Sequence, residues 1–141
     1  MNATTPVVVD TDVISFLFKN HPLASAYQNI LVGRPLAVSL ISLAEIEYGM
    51  DLKNWGTARR HLMRQFLARF TLLSPDSDTA MLWARIKSNC EKKGRPITFA
   101  DAWIAASALQ LNVPLVTHNV NDYAVVDALT ILTAPVTKPQ P

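Results

Sequence analysis

Short apolar runs alternate along this chain with longer segments that have helical character. The runs are Val7–Val9, Leu36–Val38, Thr71–Leu73, Leu115–Val116 and Leu129–Ile131. Strands separated by helices pair in parallel through right-handed crossovers, which cover both faces of the sheet. The sequence therefore predicts an α/β fold, a three-layer α/β/α sandwich with a central, mostly parallel sheet.

Helix starts are predicted from polar residues that precede apolar periodicity. Ser42-x-x-Glu45 and Thr98-x-x-Asp101 match the capping-box pattern, and Asn119-x-x-Asp122 is a looser version of it. The segment that contains Asp101 is apolar nearly all round, as expected of a helix packed on both sides. Asp12 is expected to cap the first helix.

The size and composition of the chain predict one domain. It has 141 residues, of which 50% are hydrophobic, enough for a sizeable core. We expect residues 1–133 to form this domain and residues 134–141, with three prolines, to form a flexible tail. Charged residues make up 17%, below the ~25% typical of soluble domains, which predicts surface hidden in an oligomer or complex.

Other protein classes are disfavoured by simple counts. The single cysteine, Cys90, excludes an internal disulfide, and the three histidines are too scattered to suggest a zinc site. The amino terminus lacks a basic region, and no stretch of ~18 apolar residues predicts a membrane span. These features predict a cytoplasmic protein without a membrane partner.

Acidic residues recur just past an apolar run or in the first turn of a predicted helix. They are Asp10, Glu45, Asp101 and Asp122. Capping explains the last three individually, since an acid in a first turn gains about 0.3–1 kcal/mol from the helix dipole. Capping is a weaker explanation for Asp101, because a lone carboxylate at the start of an apolar helix would be partly buried, which is costly without compensation. It is also weaker for Asp10, which lies at a strand end where Ser, Thr or Asn could cap equally well. Loops at the carboxyl ends of parallel strands face one crevice, so a shared acidic site is expected there.

A shared acidic site is suited to a hard divalent cation, Mg²⁺ or Mn²⁺. Two carboxylates ~4 Å apart repel by about 1 kcal/mol in water and ~4 kcal/mol at an effective dielectric of 20, so we expect the cluster to require metal. Setting those four acids aside leaves seven against 13 basic residues, a surplus of +6 on the remaining surface. An acidic pocket within a basic rim favours a polyanionic substrate.

Several other side chains have both a functional and an ordinary interpretation. The preferred RNA contacts are Lys92, Lys93 and Arg95, which flank a turn before the Asp101 helix. A solvated helix face is the more economical interpretation of Arg59, Arg60 and Arg64. His118 is expected to be a hydrogen-bonded structural residue. Core or interface packing is expected for Trp55, Trp83 and Trp103.

Four segments together resemble the successive motifs of PIN-domain ribonucleases, and most closely the VapC toxins of bacterial toxin–antitoxin pairs. They are residues 7–13 (VVVDTDV), 42–49 (SLAEIEYG), 101–106 (DAWIAA) and 115–123 (LVTHNVNDY). The resemblance extends from Val7 to about Leu132. It implies a PIN-like fold and a magnesium- or manganese-dependent endoribonuclease that forms homodimers and is blocked by a cognate antitoxin.

The resemblance also assigns site residues. It implies that Asp10, Glu45, Asp101 and Asp122 are the catalytic, metal-binding quartet. The supporting positions that the motifs imply are Thr11, Asp12, Thr117 and Asn119. Asp12 departs mildly from the family pattern, in which asparagine is common at this position. It could cap the first helix, bind a metal-bound water or alter metal affinity, and capping is the favoured role.

Two alternatives remain open at the level of sequence. Asp10 and Asp12 also fit the DxD signature of haloacid-dehalogenase-like phosphatases, with Ser39 as a phosphate ligand, but that function leaves Glu45 and Asp101 unused. A noncatalytic PIN-like binding module is the second alternative.

Overall fold

The structure, a computed structural model, describes residues 4–135. Its sheet has five strands, and every neighbouring pair is parallel, in the order β3-β2-β1-β4-β5. The strands are β1 (Val7–Val9), β2 (Leu36–Ser39), β3 (Thr71–Leu73), β4 (Leu115–Val116) and β5 (Ile131–Leu132). In this order β2 and β3 lie on one side of the central strand β1, and β4 and β5 lie on the other. The strand order therefore switches sides at β1, and in open α/β folds ligands bind outside the carboxyl end of such a strand.

Helices cover both faces of the sheet. They are α1 (Thr11–Phe18), α2 (Ala24–Leu31), α3 (Leu40–Leu52), α4 (Thr57–Leu67), α5 (Ser77–Lys92), α6 (Phe99–Leu111) and α7 (Val120–Tyr123). Along β1, Val7 and Val9 pack into one hydrophobic cluster with residues of α1 to α4, whereas Val8 packs into the other with α5 and α6. Alternate side chains of a strand point to opposite faces, so this division confirms the predicted three-layer sandwich.

The predicted all-round apolar helix is α6, which packs between the sheet and α5. Ala102, Ile104, Ala105, Ala106 and Ala108 are completely buried. The small alanine side chains allow α6 to approach both the sheet and α5 closely. This packing fixes the position of the first turn of α6, which contains Asp101. The helix ends at Asn112 in the left-handed conformation, which asparagine adopts more readily than most residues.

Three local predictions are wrong in detail. Ser39, at the end of β2, caps α3, so the helix begins before the predicted capping residue Ser42. The last strand is Ile131–Leu132 rather than Leu129–Ile131. Ala134, placed at the start of the predicted tail, is 1% exposed and belongs to the hydrophobic core. The rest of that tail, from residue 136, lies outside the described residues.

The remaining hydrophobic features have packing roles. Cys90 is a buried free thiol. Trp83 stacks on Trp103 with 5.7 Å between ring centroids, and Trp55 lies 5.7 Å from the ring of Phe18. In the part of the chain that the structure describes, none of the helices combines the length and the apolar character that a bilayer span requires.

Candidate active site

Asp10 lies at the carboxyl end of β1 and is the centre of the candidate site. Its side chain is 4% exposed. Oδ1 accepts a hydrogen bond from the backbone N–H of Thr11 at 2.8 Å, and Oδ2 accepts one from the Thr117 hydroxyl at 2.7 Å. Asp10, and not Asp12, is therefore the N-cap of α1. Thr117 follows β4, so two neighbouring strand ends hold this carboxylate.

Glu45 is linked to Asp10 through the adjacent residue Thr11. The Thr11 hydroxyl donates to Glu45 Oε1 at 2.8 Å and lies 2.9 Å from Ser42 Oγ. Ser42 is completely buried in the first turn of α3, where its hydroxyl stabilises the contact between α1 and α3. Its position explains why it does not cap the helix.

Asp101 and Asp122 approach the site from α6 and α7. The N-cap of α6 is Thr98, whose hydroxyl accepts from the Asp101 N–H at 3.2 Å, as the capping pattern predicted. The Asp101 carboxylate instead accepts from the Tyr123 hydroxyl at 3.0 Å through Oδ1. Asp101 and Asp122 line a cleft of about 310 Å³ together with Arg95.

The carboxylates interact electrostatically across this site. Burial, followed by the charge of Asp12 and to a smaller extent that of Asp101, raises the pKa of Asp10 to about 7, although the hydrogen bonds from Thr117 and Thr11 lower it. Burial also raises the pKa of Asp101, with a contribution from Asp122. Without a cation, the fully ionised cluster is therefore unfavourable, as expected for acids gathered in a poorly solvated place.

The carboxylate oxygens of the site are suitable ligands for a hard cation, although the acidic side chains do not surround one common position. Within residues 4–135, no three acidic, histidine or cysteine side chains are grouped as ligands of one ion. Their oxygens face neutral donors instead, as the Thr117 and Tyr123 contacts show. Mg²⁺ takes only one or two protein carboxylates and completes its shell with water and substrate. The buried Asp10, whose charge needs compensation, fits that requirement.

Comparison with known proteins agrees with the fold. The family model described as the PIN domain matches residues 7–129. The chain belongs to the PIN-domain family. Among PIN-domain relatives, ribonuclease VapC1 of Haemophilus influenzae strain R2866 is 32% identical over 119 residues, which cover 82% of this chain and 88% of that protein.

Solved structures of VapBC proteins also resemble the chain. VapBC-1 from nontypeable Haemophilus influenzae has a TM-score of 0.78 at 28% identity, covering 91% of this chain and 97% of that one. VapBC2 from Rickettsia felis, solved with a promoter DNA fragment, has a TM-score of 0.82 at 23% identity and shows the same fold over 92% and 99% of the two chains.

Asp12 has a different role from the helix cap that the sequence predicted. Its Oδ1 accepts from the Val13 N–H at 2.7 Å, and its Oδ2 accepts from the His118 N–H at 3.0 Å. Asp12 thus joins α1 to the loop after β4 in this PIN domain. Burial raises the pKa of Asp12, and these hydrogen bonds oppose the shift.

His118 and Asn119 follow Thr117 in the same loop. His118 Nδ1 lies 2.6 Å from the Tyr27 hydroxyl, and the imidazole packs edge-on against Phe16, so the predicted structural role is confirmed. Asn119 donates its backbone N–H to the Thr117 hydroxyl at 3.1 Å. Its side chain does not cap α7, so the looser capping-box pattern is wrong there.

The three preferred RNA-contact residues lie in different environments. Arg95 lines the cleft beside Asp101 and Asp122, and its guanidinium donates to the Asn121 carbonyl at 3.4 Å. Lys93 is bound to the Val125 carbonyl and to Asp127, which leaves it less available for a phosphate. Lys92 is exposed at the end of α5.

The arginines of α4 divide into two groups. Arg60 pairs with Asp51, and Arg64 pairs with Glu47 through two hydrogen bonds of 2.8 and 2.9 Å. Both therefore have structural partners. Arg59 instead places its guanidinium 3.8 Å from the centre of the Trp55 ring.

Sequence reasoning missed Tyr123 and Ser42 as parts of the site. Tyr123 is completely buried, and besides Asp101 it interacts with Asp10. Burial and these two carboxylates raise the pKa of its hydroxyl, which is therefore a fixed neutral donor. The sequence signal that could have identified Tyr123 was its position directly after Asp122, from which its hydroxyl can reach the acids.

Proposed function

We propose that this PIN-domain chain is a divalent-metal-dependent endoribonuclease that acts as the toxin of a VapBC-type toxin–antitoxin pair. The proposal is carried by one observation, a buried Asp10 at the end of the central strand that is connected through Thr11 to Glu45 and through Tyr123 to Asp101. The similarity to ribonuclease VapC1 over 82% of the chain supports the reaction. Similarity to VapBC complexes supports an antitoxin partner.

The quartet Asp10, Glu45, Asp101 and Asp122 would hold the metal, and Mg²⁺ or Mn²⁺ suits these oxygen ligands. A bound divalent ion supplies charge stabilisation for hydrolysis of the phosphodiester. The chain's own groups prepare the site, since Thr117 fixes the Asp10 carboxylate. Because a bound divalent ion would also lower the pKa of water, a histidine or lysine general base would not be required.

The partners follow from the same family membership. We propose an RNA substrate, a cognate antitoxin protein, a homodimer and a cytoplasmic location. The low charged fraction, 17%, is consistent with surface that is covered in such assemblies.

The decisive experiment compares single replacements of acids inside and outside the site. Asp10→Asn and Asp101→Asn should abolish RNA cleavage and growth arrest while circular dichroism shows a folded protein. Asp78→Asn is the matched control, because Asp78 is exposed on α5 and should leave both activities unchanged. Full toxicity of either site variant would refute the proposal.

The structure disfavours the phosphatase alternative. Both Asp12 oxygens accept backbone hydrogen bonds, so this carboxylate is engaged in joining two segments rather than available as an acid/base. Ser39 is 1% exposed and caps α3, which removes the expected phosphate ligand. Calorimetry with MnCl₂ tests the second alternative, a noncatalytic binding module. Failure of the protein to bind any divalent ion would favour such a module.

A further inference from the structure

A narrow cleft between α1 and α3 leads away from the acidic site. Each helix contributes three of its lining residues at intervals of four, which places them on one face of the helix. The rows are Thr11, Ser15 and Lys19 from α1 and its C-cap, and Glu45, Gly49 and Lys53 from α3 and its C-cap. The cleft is therefore acidic at one end and basic at the other.

The basic end contains three cations close together. Lys19 and Lys53 interact with each other, and Arg59 contributes a third charge to the same cluster. Trp55 holds the cluster, with the Arg59 guanidinium 3.8 Å and the Lys19 ammonium 5.9 Å from its ring centre. We refer to Lys19, Lys53 and Arg59 as the basic cluster.

The basic cluster has no counterion among residues 4–135. The ion pairs in this range involve other cations, including Arg60 and Arg64, which lie on the same helix as Arg59. Burial, followed by the charges of Lys53 and Arg59, lowers the pKa of the Lys19 ammonium. Unpaired like charges held this close repel one another, and a bound anion would relieve the repulsion.

The length of the cleft matches a short piece of a nucleic-acid strand. Glu45 and Lys53 are eight residues apart on one helix, which corresponds to about 12 Å at 1.5 Å per residue. A stacked strand advances ~3.4 Å per nucleotide, so this separation spans roughly three nucleotides. Gly49 lies midway, and a Cβ added there would meet no atom within 4 Å, so the middle of the cleft is open.

We propose that the basic cluster binds a backbone phosphate of the RNA strand, roughly three nucleotides from the phosphate at the acidic site. This inference rests on the proposed function, because it supplies a second contact for the same substrate. RNA is favoured over an acidic protein segment because the cleft leads directly to Glu45 and Thr11, where a phosphodiester is the group that reacts. Trp55 positions Arg59 rather than stacking on a base.

The test measures RNA binding while cleavage is prevented by EDTA. The probe is a fluorescein-labelled 12-nucleotide single-stranded RNA of mixed sequence, titrated at several salt concentrations and followed by anisotropy. The K19Q/K53Q double variant should bind about tenfold more weakly, and its slope of log affinity against log salt should fall by about 0.7, as expected for the loss of one neutralised phosphate of a single strand. The R69Q/R85Q control removes the same charge elsewhere and should change affinity less than twofold.

A second pair of variants tests the cleft without a change of charge. Gly49→Gln places a side chain in the open middle of the cleft and should weaken RNA binding at least threefold. Ala44→Gln adds the same side chain at an exposed position of the same helix and should leave binding unchanged. Equal affinities of these two variants would contradict a strand lying along the cleft.

The outcomes separate this inference from the proposed function. An unchanged salt slope in K19Q/K53Q, with normal metal-dependent cleavage, overturns the phosphate site and leaves the ribonuclease intact. Labelled poly-glutamate, titrated in the same way, serves as an acidic protein segment. If K19Q/K53Q loses binding to poly-glutamate but not to RNA, the phosphate site is overturned as well, in favour of an acidic protein. If wild-type protein with MnCl₂ cleaves no RNA, the proposed function fails, while the binding assay still reports on the basic cluster.

Discussion

The Tyr123 hydroxyl donates to Asp101 Oδ1 at 3.0 Å and also interacts with Asp10, so one neutral group lies between acids from two different elements. Tyr123 is completely buried, which fixes the position of the hydroxyl. Carboxylates in a poorly solvated site repel each other, and a shared donor reduces that repulsion. We therefore regard Tyr123 as a positioning residue for the acidic site.

Tyr123→Phe should destabilise the metal-free protein and make the protein more dependent on metal. The variant keeps the packed ring but loses a hydrogen bond to a charged group, worth about 1.5–3 kcal/mol. Thermal unfolding in EDTA should show a lower Tm, and MnCl₂ should raise the Tm of the variant more than that of the wild type. Tyr48→Phe is the control, because Tyr48 is 67% exposed. Identical metal-induced shifts in wild type and Y123F would exclude the positioning role.

Asp10→Asn should stabilise the metal-free protein at alkaline pH and not at acid pH. The pKa of Asp10 is about 7 in the folded protein and 3.8 without burial, so folding favours the protonated form. The resulting penalty is absent below pH ~4, grows as pH rises, and is complete above pH ~7, where it reaches roughly 4 kcal/mol. Denaturant unfolding in EDTA at pH 4 and pH 8 measures it.

The quantity to compare between D10N and the wild type is the change in stability from pH 4 to pH 8, not the stability at one pH. Asp12 and Asp101 also have raised pKa values and remain in the variant, so its stability should still decline with pH, but less steeply. Asp78→Asn, at an exposed position, should behave as the wild type. The assignment of the shift to Asp10 would be untenable if D10N lost as much stability between pH 4 and pH 8 as the wild type.

The sequence was sufficient for the architecture because the signals of the central elements are local. Val7–Val9 is a β-branched run, and the alanine-rich face of α6 is continuous, so both were predicted correctly. Asp10 and Asp101 could be recognised as acids at a strand end and in a first helical turn. Residues whose roles depend on their own neighbours in sequence were therefore predictable.

Roles that depend on distant contacts were not predictable in the same way. Ser39 and Ser42 both precede apolar residues, and only packing against Thr11 shows that Ser42 faces inward while Ser39 caps the helix. Asp12 resembles a helix cap, but its second oxygen binds the His118 N–H, 106 residues away. The sequence shows which groups can donate or accept but not which distant partner each one meets.

Asp12→Asn should lower stability at pH 4, where the penalty for burying the Asp12 charge is absent, while RNA cleavage persists. The amide keeps one acceptor oxygen, so one of the two backbone N–H groups, from Val13 or His118, loses its partner at a cost of about 1–3 kcal/mol. Denaturant unfolding measures the loss, and cleavage of RNA with MnCl₂ measures activity at a temperature where both proteins are folded. Asp12→Ala should cost more, because both hydrogen bonds disappear. Loss of cleavage in folded D12N would give Asp12 a direct role in the reaction.

Replacing Gly33 and Gly49 by alanine should have opposite effects on stability. A Cβ at either position meets no atom within 4 Å, so the two sites differ in backbone conformation rather than in space. Gly49 is inside α3, where alanine is favoured over glycine by roughly 0.5–1 kcal/mol, so G49A should raise the Tm. Gly33 has φ of 76°, where an L side chain costs about 1–2 kcal/mol, so G33A should lower it. A decrease in the Tm of G49A would show that α3 does not tolerate a methyl group facing the cleft.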